Sequence, residues 1–106
     1  MNVRIAAAAA LLGLLLSSPA QAQGFSCSGN LTPDERTVCH DQTLSQLDVQ
    51  LNQIYQRAIS QATPRGRSQL QVVQRQWLQS RRACGTNRGC IGQLYRDQIA
   101  WLRQYV

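Results

Sequence analysis

Four cysteines are the residues of this chain with the most versatile chemistry, and their spacing limits what they can do. Cys84 and Cys90 enclose the pentapeptide Gly-Thr-Asn-Arg-Gly, and eleven residues separate Cys27 from Cys39. Zinc sites usually pair cysteines as CxxC or combine them with histidines at set spacings, and dithiol redox sites also use CxxC. A catalytic thiol needs an unpaired cysteine near a base. The spacing fits neither CxxC pattern, and an even number of cysteines favours two disulfides.

The N-terminal residues indicate the compartment in which such disulfides would form. Arg4 is followed by an apolar run over 5–16 and then by Ala-Gln-Ala at 20–22. This order is typical of a cleaved signal peptide, and the run is shorter than the roughly 20 residues of a transmembrane helix. We therefore expect a signal peptide over 1–22 and an exported domain over 23–106, periplasmic or secreted, where disulfides persist.

Four cysteines allow three pairings, and the sequence alone does not choose among them. The short separation of Cys84 and Cys90 favours a local bond, which leaves Cys27 to pair with Cys39. The region over 23–106 is large enough for one small domain only. Domains of this size bury a modest core and often depend on disulfide bonds for stability.

The remaining groups that could catalyse a reaction are one histidine and five acids. His40 stands between Cys39 and Asp41, but consecutive helical residues do not face one another, so a capping or surface role is favoured over a triad. The sequence contains no glycine-rich phosphate loop, no metal-ligand cluster and no serine with a nearby base. We therefore expect no catalytic residue, no metal and no other cofactor, and a protein that is not an enzyme.

Asp48 is the acid whose position is most informative. It stands between the apolar positions Leu47 and Leu51, which predicts a place on the inner side of a helix. A structural ion pair with an arginine of a facing helix is favoured there over an exposed charge or a contact with a partner.

The charge of the domain is unevenly distributed. The chain has a formal net charge of +6, and removal of Arg4 with the signal peptide leaves +5. Four of the five acids precede residue 49, whereas nearly all the arginines of the domain follow it. A basic face can bind nucleic acid, but export makes nucleic acid an unsuitable natural partner. Solvated arginines are one interpretation, and binding of anionic lipid or cell-wall polymer in the envelope is the other.

The spacing of apolar residues predicts helices and no strand. Apolar residues recur three and four positions apart, as in Leu44, Leu47, Leu51, Ile54 and Ala58. Thr32, Pro33 and Glu35 form a capping-box signal for a helix start, and the stretch over 63–67, with Pro64 and Gly66, interrupts the pattern. The predicted helices cover 33–40, 42–62, 67–84 and 90–105.

This order of helices predicts an all-α fold. We expect a small disulfide-stapled bundle in which a long antiparallel helical hairpin is flanked by a short N-terminal helix and a C-terminal helix. Trp77 and Tyr55 should lie in the interhelical core. Arg81, one turn after Trp77, should donate hydrogen bonds to carbonyls or a carboxylate from a buried or half-buried position. Trp101 falls beside the apolar stripe, where partial packing is favoured over an exposed binding anchor.

The domain also carries an ordered series of landmarks: Phe25-Ser26-Cys27, the segment 32–39, LSQLDVQLNQIY over 44–55, QRQWLQSRRAC over 74–84, Cys90, and Tyr95 with Ile99 and Leu102. The most specific are the series through Asp48 and Tyr55, and Trp77, Arg81 and Cys84 at spacings of four and three. In order and spacing they resemble the LprI-type lysozyme-inhibitor family over essentially the whole domain.

The resemblance implies an exported helical domain held by disulfides and, for characterised relatives, inhibition of lysozyme. The sequence departs from the family at Gln98, because the family commonly has an arginine three residues after the tyrosine at 95. Gln98 is uncharged, so it does not replace any ion pair that an arginine makes at this position, whether with Asp48 or with another acid.

Charge suggests which part of the domain would contact such an enzyme. Animal c-type lysozymes are strongly cationic, so a domain of charge +5 repels them at long range. The acidic N-terminal third should then form the contact, and the candidate partner contacts are Asp34, Glu35, Asp41 and Asp48. The alternative function is a periplasmic module whose arginine-rich face binds anionic lipid or cell-wall polymer. The sequence does not give the oligomeric state.

Overall fold

The computed structural model describes residues 24–106, and the signal peptide expected over 1–22 lies outside the described residues. The described chain forms four helices: α1 Pro33–His40, α2 Gln42–Gln61, α3 Pro64–Ala83 and α4 Arg88–Leu102. A 3-10 turn, Arg103–Tyr105, follows α4. Residues 24–106 contain no strand, which confirms the predicted all-α fold. No helix in this part of the chain is both long and apolar enough to cross a membrane.

Near the start of each helix a side chain accepts a hydrogen bond from a backbone amide that has no partner within the helix. At α1, Thr32 and Glu35 form the predicted capping box, with the Thr32 amide donating to Glu35 Oε1 over 2.9 Å. The other three caps are Asp41 for α2, Thr63 for α3 and Asn87 for α4. Polar residues at the interruptions of the apolar pattern therefore fix where the helices begin.

The start of α3 was predicted too late. The helix begins at Pro64 and not near residue 67, because proline is suited to the first helical position, where no amide donor is needed. Thr63 Oγ1 accepts from the Gly66 amide over 3.1 Å, so this glycine lies within the first turn. The turn between α2 and α3 is therefore very short.

Local signals set the end of α3 and the start of α4. Gly85 comes just after α3 with a φ of +59°, a left-handed conformation that glycine adopts without strain and that ends helices. Helix α4 starts at Arg88, two residues before the predicted position, because Asn87 supplies the cap. The prediction extended this helix to residue 105, but α4 ends at Leu102 and is followed by the tighter 3-10 turn Arg103–Tyr105.

The core lies where α4 packs against the hairpin of α2 and α3. Helix α4 packs most extensively on α2. Trp77 of α3 and Tyr95 of α4 make an edge-to-face contact with ring centroids 4.8 Å apart. The indole Nε1 of Trp77 donates to the Leu94 carbonyl over 2.9 Å, so its one polar atom is satisfied within the core. The core includes Val38, Leu44, Leu51, Ile54, Ala58, Leu70, Ile91, Ile99 and Leu102.

Two disulfides lie at the end of the hairpin away from the turn between α2 and α3. Cys27 pairs with Cys39 and joins the N-terminal segment to α1. Cys84 pairs with Cys90 and joins the end of α3 to the first turn of α4. This is the pairing that the short separation of Cys84 and Cys90 favoured. No cysteine of residues 24–106 is free.

Candidate functional site

A buried ion pair joins the first turn of α1 to the last turn of α3. Asp34 and Arg81 are only 1% and 5% exposed, and Arg81 Nε donates to Asp34 Oδ2 over 2.7 Å. The Thr32 hydroxyl donates to the other carboxylate oxygen, Oδ1. Removing two charges from water is costly unless they are paired and hydrogen-bonded, and both conditions are met here.

Tyr95 extends this pair to the other two helices. Arg81 Nη1 donates to the Tyr95 hydroxyl over 3.1 Å, and that hydroxyl donates to Asp48 Oδ1 over 2.8 Å. Arg81 Nη1 also lies 3.9 Å from Asp48 Oδ1. We call Asp34, Asp48, Arg81 and Tyr95 the Arg81 cluster. Each of the four helices contributes one residue to it, so the cluster fixes the arrangement of the whole bundle.

The segment before α1 covers the Arg81 cluster. The Gly24 amide donates to Asp48 Oδ2 over 2.6 Å. The Phe25 ring centroid lies 5.1 Å from the guanidinium carbon of Arg81, a distance at which a cation is attracted to an aromatic face. Cys27 lies two residues after Phe25 and is bonded to Cys39 of α1. The disulfide therefore holds the covering segment on the bundle.

The environment of the cluster shifts the pKa values of Asp34 and Tyr95 in opposite senses. Burial opposes ionisation of Asp34, but the hydrogen bonds from Thr32 and Arg81 and the charge of Arg81 outweigh it and hold the pKa of the carboxyl below its ordinary value. Burial, with the nearby Asp48 carboxylate, raises the pKa of Tyr95 well above that of a free phenol. Tyr95 is thus a neutral hydrogen-bonding bridge at physiological pH.

The roles predicted for the landmark residues can be compared with their positions. Trp77 is buried and Arg81 is a buried donor to a carboxylate, as expected. Asp48 is buried close to Arg81 of the facing helix, but its hydrogen bonds come from the Tyr95 hydroxyl and the Gly24 amide. Tyr55 is only half-buried at the edge of the core.

Gln98, at the position where the family commonly has arginine, is mostly buried on α4. Its Nε2 atom has no hydrogen-bond partner among the described residues. Asp48 is satisfied from other elements of the fold, by the Tyr95 hydroxyl and the Gly24 amide.

Comparison with known proteins identifies the family. The model of the family described as "Lysozyme inhibitor LprI" matches residues 27–103, a range that holds all four helices, both disulfides and the Arg81 cluster. The chain belongs to the LprI lysozyme-inhibitor family. Proteins of this kind are, in general, inhibitors and not catalysts.

Curated relatives of the LprI family agree with this assignment. The chain is 30% identical over 89 residues to the protein named "Lipoprotein LprI" of Mycobacterium bovis and of two strains of Mycobacterium tuberculosis, CDC 1551 and H37Rv. The match covers 81% of this chain but 44% of each relative, so the chain spans less than half the length of these proteins. No solved structure matches the chain.

The structure contradicts the expectation that Asp34 and Asp48 of this LprI domain contact a partner. Both carboxylates are buried and bonded within the Arg81 cluster, so neither is offered to another protein. Their burial has a physical reason, because Arg81 on the facing helix needs carboxylate partners once it is removed from water. No signal in the sequence distinguished Asp34 from an exposed acid that interacts with the helix dipole.

The two other candidate contacts are half-buried and already have structural roles. Glu35 closes the capping box of α1. Asp41 caps α2, accepting from the Leu44 amide over 2.9 Å, and its Oδ2 lies 3.5 Å from Arg88 Nε. The four acids of the N-terminal third therefore stabilise the fold, and they do not form a free acidic surface.

A polar concavity lies at the disulfide end of this LprI domain. It has a volume of about 530 Å³ and runs between α1 and the loop closed by Cys84 and Cys90. We call it the disulfide-end concavity, and its lining residues are Pro33, Arg36, Thr37, His40, Thr86 and Arg88. Three of these six side chains are basic, and His40 is exposed, in agreement with its predicted surface role. Residues 24–106 bring no three potential metal ligands together.

Proposed function

We propose that this protein is exported and binds and inhibits a lysozyme by occluding its cleft, with no catalysis of its own. The observation that supports this function is the family match over residues 27–103, which spans the complete helical bundle. The relatives carry the word lipoprotein in their names, which agrees with a location in the envelope or outside the cell.

The contact surface that we propose is the disulfide-end concavity. The Cys84–Cys90 bond and the Cys27–Cys39 bond both border this end of the domain. A surface that is rigid before binding loses less conformational entropy on association, which improves affinity. The concavity therefore combines a loop closed by a disulfide with side chains that can reach a partner.

The chemistry of this surface suits the cleft of a glycoside hydrolase. Such enzymes generally act with a pair of carboxyl groups that flank the scissile bond. Arginine binds carboxylates through charge-assisted and often bidentate hydrogen bonds. We propose that Arg36 and Arg88 reach toward the acidic cleft, which would offset the long-range repulsion between two basic proteins. Arg88 is 67% exposed, so its guanidinium is accessible.

The deciding experiment is a cell-wall lysis assay with the purified, oxidised protein. Increasing concentrations are tested against c-type and g-type lysozymes and against bacterial lytic transglycosylases. The proposal predicts saturable inhibition of at least one enzyme near stoichiometric ratios, lost after reduction of the disulfides. Absence of inhibition of every enzyme would reject it.

Three single variants test whether the disulfide-end concavity is the surface that contacts lysozyme. Arg88→Ala and Arg36→Ala should each weaken inhibition by roughly tenfold, the size expected for a useful charged contact at an interface. Arg82→Ala is the matched control, since Arg82 is an exposed arginine that does not line the concavity. Equal effects of all three variants would show that overall charge, and not this surface, governs binding.

A second candidate function is the binding of anionic cell-wall polymer or an anionic lipid surface. It is favoured by the exposure of every arginine in the described chain except Arg81. Binding through many solvated charges weakens steeply with added salt, whereas a packed protein interface changes less. A pull-down with purified cell wall at low and high ionic strength, beside the lysis assay, separates the two functions.

A further inference from the structure

A second concave surface lies at the opposite end of the hairpin, and it is apolar. It has a volume of about 710 Å³ and is formed where the turn between α2 and α3 meets the C-terminus of the chain. We call it the turn-end groove; the residues used below are Ala58, Leu70, Val72, Val73, Trp101 and Tyr105. Since α2 and α3 each have 20 residues, at 1.5 Å per residue the turn between them lies roughly 30 Å from the disulfide end. The groove extends from this turn to about the middle of α3.

The groove leaves apolar side chains in contact with water. Val72 and Tyr105 are 43% and 45% exposed, and they are among the few large apolar residues that remain accessible. The Trp101 and Tyr105 rings lie 4.8 Å apart and make one side of the groove. Leu70 and Ala58 are buried beside them. Apolar clefts of 300–1,000 Å³ with a few polar groups at the margin are typical of sites for small ligands.

The charges near the groove indicate what kind of ligand it would take. Arg65 and Arg67 are exposed and alternate in sequence with Gly66 and Ser68, which line the groove. No acid occurs between residues 49 and 96, so no carboxylate of α3 neutralises these arginines. A second copy of this basic chain would be repelled there, whereas an anionic group would be attracted.

We propose that the turn-end groove binds an anionic amphiphile with a single alkyl chain, namely an anionic lysophospholipid. The alkyl chain packs on Val72, Trp101 and Tyr105, and the head group lies near Arg65 and Arg67. Burial of the chain supplies most of the affinity, and the arginines select the sign of the head group. The inference does not depend on lysozyme inhibition, because it concerns a different surface and a different ligand. It differs from the second candidate function because it requires one lipid molecule in an apolar groove and not a charged surface.

Binding can be measured by calorimetry and by the fluorescence of Trp101 with the full chain, purified from its export compartment in oxidised form. The probes are lysophosphatidylglycerol, which is anionic, and lysophosphatidylcholine of the same chain length, which is zwitterionic, both below the concentration at which they form micelles. The proposal predicts 1:1 binding, with the anionic lipid bound more tightly. Trp101→Phe should abolish the fluorescence change, since Trp77 lies in the core away from the groove.

Paired variants test the two parts of the site separately. Val72→Gln should weaken binding of both lipids by about tenfold, which corresponds to the burial of one aliphatic side chain. Leu78→Gln is its control, because Leu78 is a similarly exposed residue of α3 outside the groove. Arg65→Gln combined with Arg67→Gln should remove the preference for the anionic lipid, while Arg75→Gln combined with Arg82→Gln should retain it.

Three results would overturn the proposal: no binding of either lipid, equal binding of both, or equal effects of Val72→Gln and Leu78→Gln. The lysis assay on the same variants keeps this test distinct from that of the proposed function. Val72→Gln should inhibit lysozyme as the unmodified protein does, since the groove is remote from the disulfide-end concavity.

Discussion

Arg81 and Asp34 are 47 residues apart in the chain, yet Nε of one lies 2.7 Å from Oδ2 of the other in the interior of the domain. The pair fixes the short helix α1 against the end of α3, at the same end of the bundle as both disulfides. A small domain has little core with which to hold a peripheral helix. The ion pair thus makes the position of α1 specific, and α1 forms one wall of the disulfide-end concavity.

Arg81→Met should strongly destabilise the domain. It leaves the Asp34 carboxylate buried without its cation, and breaking a buried pair in this way typically costs about 3–5 kcal/mol in the free energy of unfolding. Urea unfolding followed by circular dichroism measures the loss. Arg82→Met is the control, since this neighbour is exposed and its replacement should change stability by less than about 0.5 kcal/mol.

Tyr95→Phe tests the bridge between Arg81 and Asp48. The change keeps the ring packed on Trp77 but removes the hydroxyl that accepts from Arg81 and donates to Asp48. Leaving buried polar groups without a partner should cost about 1–3 kcal/mol in the free energy of unfolding. Tyr105→Phe, at an exposed ring, should be nearly neutral in the same urea experiment. Equal effects of both changes would mean that the Tyr95 hydroxyl is not a structural bridge.

The ionisation of Asp34 should make stability depend on acid pH. Its pKa in the folded domain is lowered from the ordinary value of 3.8. The unfolded state therefore takes up a proton first as the pH falls, and folding loses stability through and below about pH 4. The contribution of Asp34 is fully present above that value.

The matched variant for this dependence is Asp34→Asn, which is less stable at neutral pH but has no carboxyl to titrate. The difference in unfolding free energy between the two proteins should shrink as the pH falls from 5 to 2. Urea unfolding at intervals of one pH unit measures it, and a constant difference would contradict the role assigned to Asp34.

Much of the helical framework was predictable because the signals that define it are local. Apolar spacing located the four helices, and Thr32, Pro33 and Glu35 located the start of α1. The error at α3 was also local, since Pro64 was treated as an interruption although it occupies the first helical position.

The burial of Asp34 was missed for a different reason. Asp34 and Glu35 are neighbours in the first turn of α1, and both were named as candidate partner contacts, yet Asp34 is buried and Glu35 is half-buried. What separates them is the position of Arg81, which is set by the packing of α3 and not by residues near 34. The charge of the surface likewise depends on which acids are buried, and composition alone does not reveal that.

The two disulfides should contribute unequally to stability. By loop-closure entropy, the bond that spans 12 residues should contribute about 3 kcal/mol and the bond that spans 6 about 2 kcal/mol. The Cys27–Cys39 bond also holds Gly24 and Phe25 over the Arg81 cluster, so its loss should admit water to a buried ion pair. Urea unfolding of the double variants Cys27→Ser/Cys39→Ser and Cys84→Ser/Cys90→Ser measures both effects. Cys27→Ser/Cys39→Ser should have the clearly lower free energy of unfolding. If Cys84→Ser/Cys90→Ser has the lower value, the covering segment does not protect the cluster.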